Sequence, residues 1–94
     1  MVNHLRDAFP DQTRNMADTE LRQRLVVQRK AAQKWGIVVE RAVALYIDLL
    51  WGAGPDADRI PWIQEILLES RLDGLARMKE IYRQLPRRLV SPVG

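Results

Sequence analysis

The feature that most constrains the fold is a helical repeat of apolar residues in the first half of the chain. From Leu21 to Leu49 these residues recur at alternating spacings of four and three, so they share one side of a helix. Asp18 or Thr19 can cap the first turn through a side-chain oxygen. We therefore predict one helix over residues 19–51, and the repeat consists of Leu21, Leu25, Gln28, Ala32, Trp35, Val39, Ala42, Tyr46 and Leu49.

The second half of this predicted helix is apolar on nearly every side. Ile37, Val43 and Ile47 fall on the arc that charged residues occupy earlier in the helix. A helix of this kind has to be covered on more than one side. A single antiparallel neighbour cannot provide that cover.

The stretch WGAGPDADRIPW, residues 51–62, is typical of a connection between two helices. Gly52 and Gly54 permit the left-handed backbone that ends a helix, and Pro55 prevents its continuation. Pro61 suits the first turn of a following helix. The residues that a Walker-type or Rossmann-type phosphate loop requires after its glycines are missing, so the spacing of Gly52 and Gly54 predicts a turn.

After this connection, apolar residues again keep helical spacing, with Arg77 among the polar residues on the opposite side. We predict a second helix over residues 61–85 that Pro86 ends. It either continues through a kink near Gly74 or is split at Ser70, with Ser70 and Asp73 as a capping pair.

The two predicted helices form an antiparallel hairpin. The first would be about 50 Å long, whereas a compact domain of this size has a radius of gyration of about 13 Å. We therefore predict an all-α fold in which a long hairpin, kinked near Gly36 and Gly74, dimerises into a four-helix bundle. Folding back about the turn places Gly74 opposite Val39. The alternative is a compact monomer of four or five short helices, broken at Gly36 and Gly74.

The chain divides into three predicted parts. Residues 1–17 lack sustained periodicity and contain residues that favour turns, so we predict a flexible N-terminal arm. Alternatively, Leu5, Ala8 and Phe9 form a short amphipathic anchor for a neighbouring surface. Residues 18–86 form the hairpin domain, and residues 87–94 form a short basic tail.

Composition limits the possible chemistry and location. A length of 94 residues fits one domain. The chain contains no cysteine, which excludes disulfides, thiolate zinc sites and cysteine nucleophiles. Fifteen Lys and Arg against twelve Asp and Glu give a net charge of +3, a weak bias toward acidic partners. The most apolar window, residues 35–53, contains Glu40, Arg41 and Asp48, so we expect no membrane span. The absence of cysteine fits a reducing compartment, so we expect a cytoplasmic protein.

No cluster of residues predicts a catalytic centre, a cofactor or a metal ion. His4 is the only histidine, so the serine and threonine hydroxyls lack a base. Glu65 and Glu69 lie one helical turn apart, but the histidines and second acidic pair of a di-metal bundle are missing. An enzyme that binds an anionic substrate between bundle helices stays open as an alternative, with candidate contacts Arg24, Arg41 and Arg71.

The favoured interpretation is a non-enzymatic protein–protein interaction module, a small regulator, inhibitor or adaptor that acts as a homodimer. Aromatic residues anchor such interfaces. The predicted residues of the dimer or partner interface are Trp35, Val39, Val43, Tyr46, Ile47, Leu50, Trp51 and Trp62. The alternative is a nucleic-acid-associated protein that uses the basic first half of the first helix. Its candidate contacts are Arg22, Arg24, Arg29, Lys30 and Lys34, with Arg87 and Arg88 in the tail.

Overall fold

Each of the two predicted long helices is divided into shorter ones. The computed structural model describes residues 2–89, with side chains described for residues 2–86. This part of the chain contains α-helices and one 3-10 turn but no strand, which confirms the all-α class. None of its helices is long and apolar enough to cross a bilayer. The elements in chain order are α1 (Val2–Ala8), α2 (Pro10–Thr13), α3 (Asp18–Lys34), α4 (Glu40–Ala53), a 3-10 turn (Ala57–Arg59), α5 (Pro61–Leu67) and α6 (Gly74–Leu89).

The first break follows α3, and it has a local cause. Gly36 has a left-handed φ of 76°, which side chains rarely permit. The Gly36 amide donates to the Gln33 carbonyl at 2.9 Å, and the Ile37 amide donates to the Ala32 carbonyl at 3.0 Å. This is the hydrogen-bond pattern of a Schellman helix end, and the burial of both Ile37 and Ala32 supplies the apolar contact that accompanies it. The prediction of one helix over residues 19–51 is therefore wrong.

The connection over residues 54–60 is a turn between helices, within the stretch where the sequence predicted one. α4 ends at Ala53, and Gly54 has a positive φ of 112°, whereas Gly52 lies within the last turn of α4. Pro61 stands in the first turn of α5. The 3-10 turn lies between them, so the two helices are joined by a short connection.

The second break separates α5 from α6 over residues 68–73. Asp73 Oδ1 accepts a hydrogen bond from the Ala76 amide at 2.8 Å, so Asp73 caps the first turn of α6. The split that was the alternative to a kink is therefore present. The predicted capping pair of Ser70 and Asp73 is not, because α6 begins at Gly74 and Asp73 itself occupies the cap position.

α6 also differs from the prediction at its other end, because it passes through Pro86, and its described residues reach Leu89. Pro86 has no backbone N–H, so the helix lacks one of its hydrogen bonds at this point. Residues 90–94 of the predicted basic tail lie outside the described residues, as do the side chains of Arg87 and Arg88.

The two breaks pack against each other. A Cβ atom on Gly74 would lie 3.4 Å from the Ile37 Cα and 3.7 Å from the Gly36 carbonyl oxygen. The absence of a side chain at Gly74 therefore lets α6 approach the α3–α4 connection closely. The predicted neighbour of Gly74 was Val39, two residues further along the chain.

α4 lies at the centre of the fold. Its neighbours include α3, α6 and the 3-10 turn, so its apolar surface is covered by the same chain. The described chain measures 36 × 33 × 18 Å and has a radius of gyration of 13.6 Å, which excludes a hairpin of about 50 Å. The fold matches the alternative prediction, a compact arrangement of short helices. The chain buries α4 by itself, so that burial does not require a dimeric four-helix bundle. The buried residues of α4 are Ala42, Val43, Tyr46, Ile47, Leu49, Leu50 and Trp51.

Residues 2–13 form two short helices on this core, where the sequence predicted a flexible arm. Leu5 is fully buried, and the Phe9 ring stacks on the Trp51 ring with centroids 6.2 Å apart. The Arg6 guanidinium donates to the Met16 carbonyl at 2.8 Å, which holds α1 against the segment that precedes α3. The alternative of an amphipathic anchor describes Leu5 and Phe9, whose spacing of four places them on one helical face, whereas Ala8 is exposed.

Candidate functional site

Five of the eight predicted interface residues lie in the chain's own core. In the sequence they indicate a helix that needs cover, and in the fold neighbouring helices provide that cover. These side chains are therefore engaged within the monomer and cannot form a broad external interface in this conformation. Each is at most 6% exposed: Val43, Tyr46, Ile47, Leu50 and Trp51.

The other three predicted interface residues lie in different parts of the molecule. Trp35 is partly buried at the end of α3, beside the 3-10 turn. Val39 is 56% exposed and borders a depression next to the start of α6. Trp62 packs on the core from α5. The structure therefore does not bring the predicted set together as one surface.

An open groove of about 610 Å³ runs between α3 and the segment that follows α4. It adjoins two smaller depressions, and all three share Pro55 as a lining residue. Together they follow one side of α3 from Glu20 to Lys34, a length of about 21 Å at 1.5 Å per residue. The apolar lining of the main groove consists of Val27, Ala31, Tyr46, Leu50 and Pro55.

Val27 is the most exposed apolar residue in this groove. Its side chain is 67% exposed, although it lies in the middle of α3 between the apolar residues that pack on the core. The sequence contained a signal for it, because Val27 is an apolar residue outside the buried repeat of its helix.

Asp58 fixes the wall of the groove opposite α3. Its Oδ2 accepts a hydrogen bond from the Tyr46 hydroxyl at 2.8 Å and a longer one from Trp35 Nε1 at 3.4 Å. Burial and the neighbouring Asp58 carboxylate raise the pKa of the Tyr46 phenol. The phenol therefore stays protonated, and remains a hydrogen-bond donor, even above its ordinary pKa of about 10. These bonds connect the 3-10 turn to both α3 and α4.

Replacing Tyr46 by phenylalanine removes this hydroxyl and keeps the ring. We expect the free energy of unfolding to fall by about 1–2 kcal/mol, because the carboxylate loses its shorter hydrogen bond. Urea unfolding followed by circular dichroism measures the change. Tyr82→Phe is the matched control, since its hydroxyl donates to the uncharged Leu45 carbonyl at 2.8 Å and its loss should cost about 1 kcal/mol or less. Equal losses in the two variants would contradict the role assigned to Asp58.

Trp51 lies below the other end of the groove and organises two of its lining residues. Its Nε1 donates to Gln28 Oε1 at 3.1 Å, and the guanidinium carbon of Arg24 lies 5.6 Å from its ring centroid. Gln28 and Arg24 both line the groove from α3. Their placement therefore depends on a side chain that is itself buried.

The five basic residues predicted to contact nucleic acid do not share one surface. Arg29 makes two hydrogen bonds to the Glu40 carboxylate, at 2.9 and 3.2 Å, and this pairing lowers the pKa of Glu40. Arg24 lies over Trp51, about 140° away from Arg29 around α3 at about 100° per residue. The remaining three are exposed: Arg22, Lys30 and Lys34.

The three arginines predicted for an anionic substrate do not converge. Arg24 contacts Trp51 near the end of α4, whereas Arg41 lies in the first turn of that helix, about 15 Å away along the axis. Arg71 pairs with Glu69 in the α5–α6 connection. Residues 2–86 contain no group of three or more His, Cys, Asp or Glu side chains placed to hold a metal ion.

Arg77 joins the ends of two helices, although the sequence assigned it to a polar outer side. Its Nη1 donates to the carbonyls of Trp35 and Leu67, both at 2.7 Å, and its Nε donates to the Leu72 carbonyl at 3.0 Å. Trp35 and Leu67 lie at the C-terminal ends of α3 and α5, where unpaired carbonyls attract a cation. The Trp35 carbonyl is 42 residues away in sequence, so no local pattern predicts this contact.

The fold and the groove define an all-α domain with an open, partly apolar channel along one helix. Comparison of the chain with models of known protein families, with curated proteins and with solved structures found no match.

Proposed function

We propose that this chain is a non-enzymatic protein–protein interaction module, a small regulator, inhibitor or adaptor, that binds a helical segment of another protein in the groove along α3. The observation that carries the proposal is the exposed Val27 side chain in a groove with an apolar lining. An amphipathic helix that lies in an apolar groove is a common mode of recognition between proteins.

The dimensions of the groove suit such a segment. The channel of about 21 Å corresponds to about 14 residues of helix at 1.5 Å per residue, or four turns. Hydrogen bonds from Tyr46 and Trp35 to Asp58 hold the wall opposite α3 in place. The side chains of that wall therefore lose little conformational freedom when a partner binds. A groove that is already formed loses less conformational entropy when its partner binds.

A second copy of the chain is a poorer occupant than another protein. The large apolar side chains that are exposed on residues 2–86 are Val26, Val27, Val38, Val39 and Leu68. Apart from the groove residue Val27, only Val26 among them lies within a helix. The described helices therefore offer no exposed apolar stripe that could fill the groove of a second copy.

Substituting aspartate for Val27 should strongly weaken binding in the groove without unfolding the protein. The test selects helical peptides from a displayed library on the full-length chain and measures their affinity by fluorescence polarisation. We expect Val27→Asp to weaken binding by at least about tenfold, because a charge replaces an apolar contact at the interface. Val38→Asp is the matched control, since Val38 is 69% exposed against 67% for Val27 and does not line the groove.

Two results would contradict the proposal. One is a selection that yields no binder, and the other is a set of binders that respond equally to Val27→Asp and Val38→Asp. Sedimentation of the unmodified chain adds a further measurement, because a dimer that Val27→Asp dissociates would make a second copy the occupant. Circular dichroism of both variants checks that the fold is kept.

A further inference from the structure

We infer that the groove selects a partner helix with a carboxylate side chain, which binds between Lys34 and Arg59 about two helical turns from an apolar residue held at Val27. This inference rests on the proposed function and adds the chemistry of the partner. A depression of about 360 Å³ at the end of α3 carries it, because Lys34 and Arg59 border that depression from α3 and from the 3-10 turn.

Lys34 and Arg59 are exposed and available to a partner. Neither forms an ion pair with another side chain of residues 2–86, in contrast to Arg29, which is occupied by Glu40. The depression shares Ala31, Pro55 and Asp58 with the main groove. An occupant of the groove therefore passes directly beside both cations.

The acidic residues of the depression do not remove this preference. Asp58 Oδ2 is already occupied by the Tyr46 hydroxyl and Trp35 Nε1. Asp56 is exposed beside Arg59. The α3 side chains that line the groove and the depression include two cations, Arg24 and Lys34, and one anion, Glu20, so this side of α3 carries a net charge of +1. The wall against which a partner lies is therefore positive, and such a field favours the approach of an acidic segment.

The spacing along α3 sets the motif in the partner. Val27, Ala31 and Lys34 stand at positions i, i+4 and i+7 and line one continuous side of the helix. Val27 and Lys34 are about 10.5 Å apart along the axis at 1.5 Å per residue. A partner helix aligned with α3 then carries its apolar anchor and its carboxylate seven residues apart.

The test uses the full-length chain and peptides from a library with every position randomised. Among peptides whose binding Val27→Asp weakens, we expect enrichment of Glu or Asp seven residues from an apolar residue. Lys34→Glu should weaken such a peptide by about fivefold or more, and Arg59→Gln should weaken it by a smaller factor. Lys30→Glu is the matched control, because it makes the same charge change on the same helix at an exposed residue outside the groove.

A charge exchange identifies the contact itself. A peptide in which the selected Glu is replaced by Lys should bind the unmodified chain weakly and regain affinity for Lys34→Glu. Binding that depends on Val27 but shows no carboxylate preference, with Lys34→Glu and Lys30→Glu equivalent, would overturn this inference and leave the proposed function standing. Binding that does not depend on Val27 would remove both. Strong, salt-sensitive binding of a generic DNA duplex, weakened equally by Lys30→Glu and Lys34→Glu, would replace the acidic peptide with nucleic acid.

Discussion

Replacing Arg77 by methionine is expected to lower the free energy of unfolding by about 3–4 kcal/mol, since three carbonyls lose a charged donor. The guanidinium joins Trp35 and Leu67, which end two different helices, and also reaches Leu72. Methionine keeps most of the side-chain length and apolar stem, so the loss reports the hydrogen bonds more than the packing. Urea unfolding followed by circular dichroism measures it.

Two further variants make the Arg77 result specific. Lys79→Met removes a cation from the same helix at an exposed residue and should change the free energy of unfolding by less than about 0.5 kcal/mol. Arg77→Lys keeps the charge but lacks the fork of donors, and we expect an intermediate loss. An Arg77→Met variant as stable as Lys79→Met would show that the three hydrogen bonds do not stabilise the fold.

Replacing Trp51 by alanine is expected to cost about 4 kcal/mol, the range for truncating a buried aromatic side chain. Trp51 is 6% exposed, stacks on Phe9 and donates to Gln28. The substitution leaves a cavity beside Phe9, removes the stacking contact and frees the Gln28 and Arg24 side chains that line the groove. The same urea titration measures the loss of stability.

A double-mutant cycle separates the contribution of the Phe9 contact. Phe9→Ala, Trp51→Ala and the double variant should show a coupling energy of about 0.5–1.5 kcal/mol, the usual value for an aromatic pair. Val26→Ala is the control, because Val26 is 52% exposed on α3 and its truncation should cost less than about 0.5 kcal/mol. Strict additivity of Phe9→Ala and Trp51→Ala would mean that residues 2–13 do not stabilise the core through this stack.

Arg77 and Trp51 also show why the fold is compact. α4 needs cover on several sides, and its neighbours reach it only because the chain breaks after α3 and again before α6. Arg77 donates hydrogen bonds to carbonyls at both breaks. The Trp51 ring stacks on Phe9, so residues 2–13 pack against that side of α4. Both side chains therefore stabilise contacts that a continuous hairpin would not make.

The groove was only partly predictable. The sequence indicated an interaction surface made of aromatic and apolar residues, but it assigned that surface to the residues that form the core of α4. Tyr46 and Leu50 border the groove, yet their side chains are largely covered by their own chain. Val27 was not predicted, because it lies outside the buried apolar repeat that identifies the helix.

The sequence by itself determined the helical class, the connection after α4 and the potential helix end at Gly36. Each of these depends on residues within one or two turns of each other, so periodicity, glycine and proline are sufficient to specify it. The same local information left open whether Gly36 and Gly74 would bend a long helix or end it.

Only the tertiary structure decided that question, together with the docking of residues 2–13, the role of Arg77 and the exposure of Val27. These features depend on contacts such as Arg77 with Trp35, whose partners are 42 residues apart in the sequence. The chain ends its helices early because short segments can surround α4 and bury its apolar surface on several sides, which a single long neighbour cannot do.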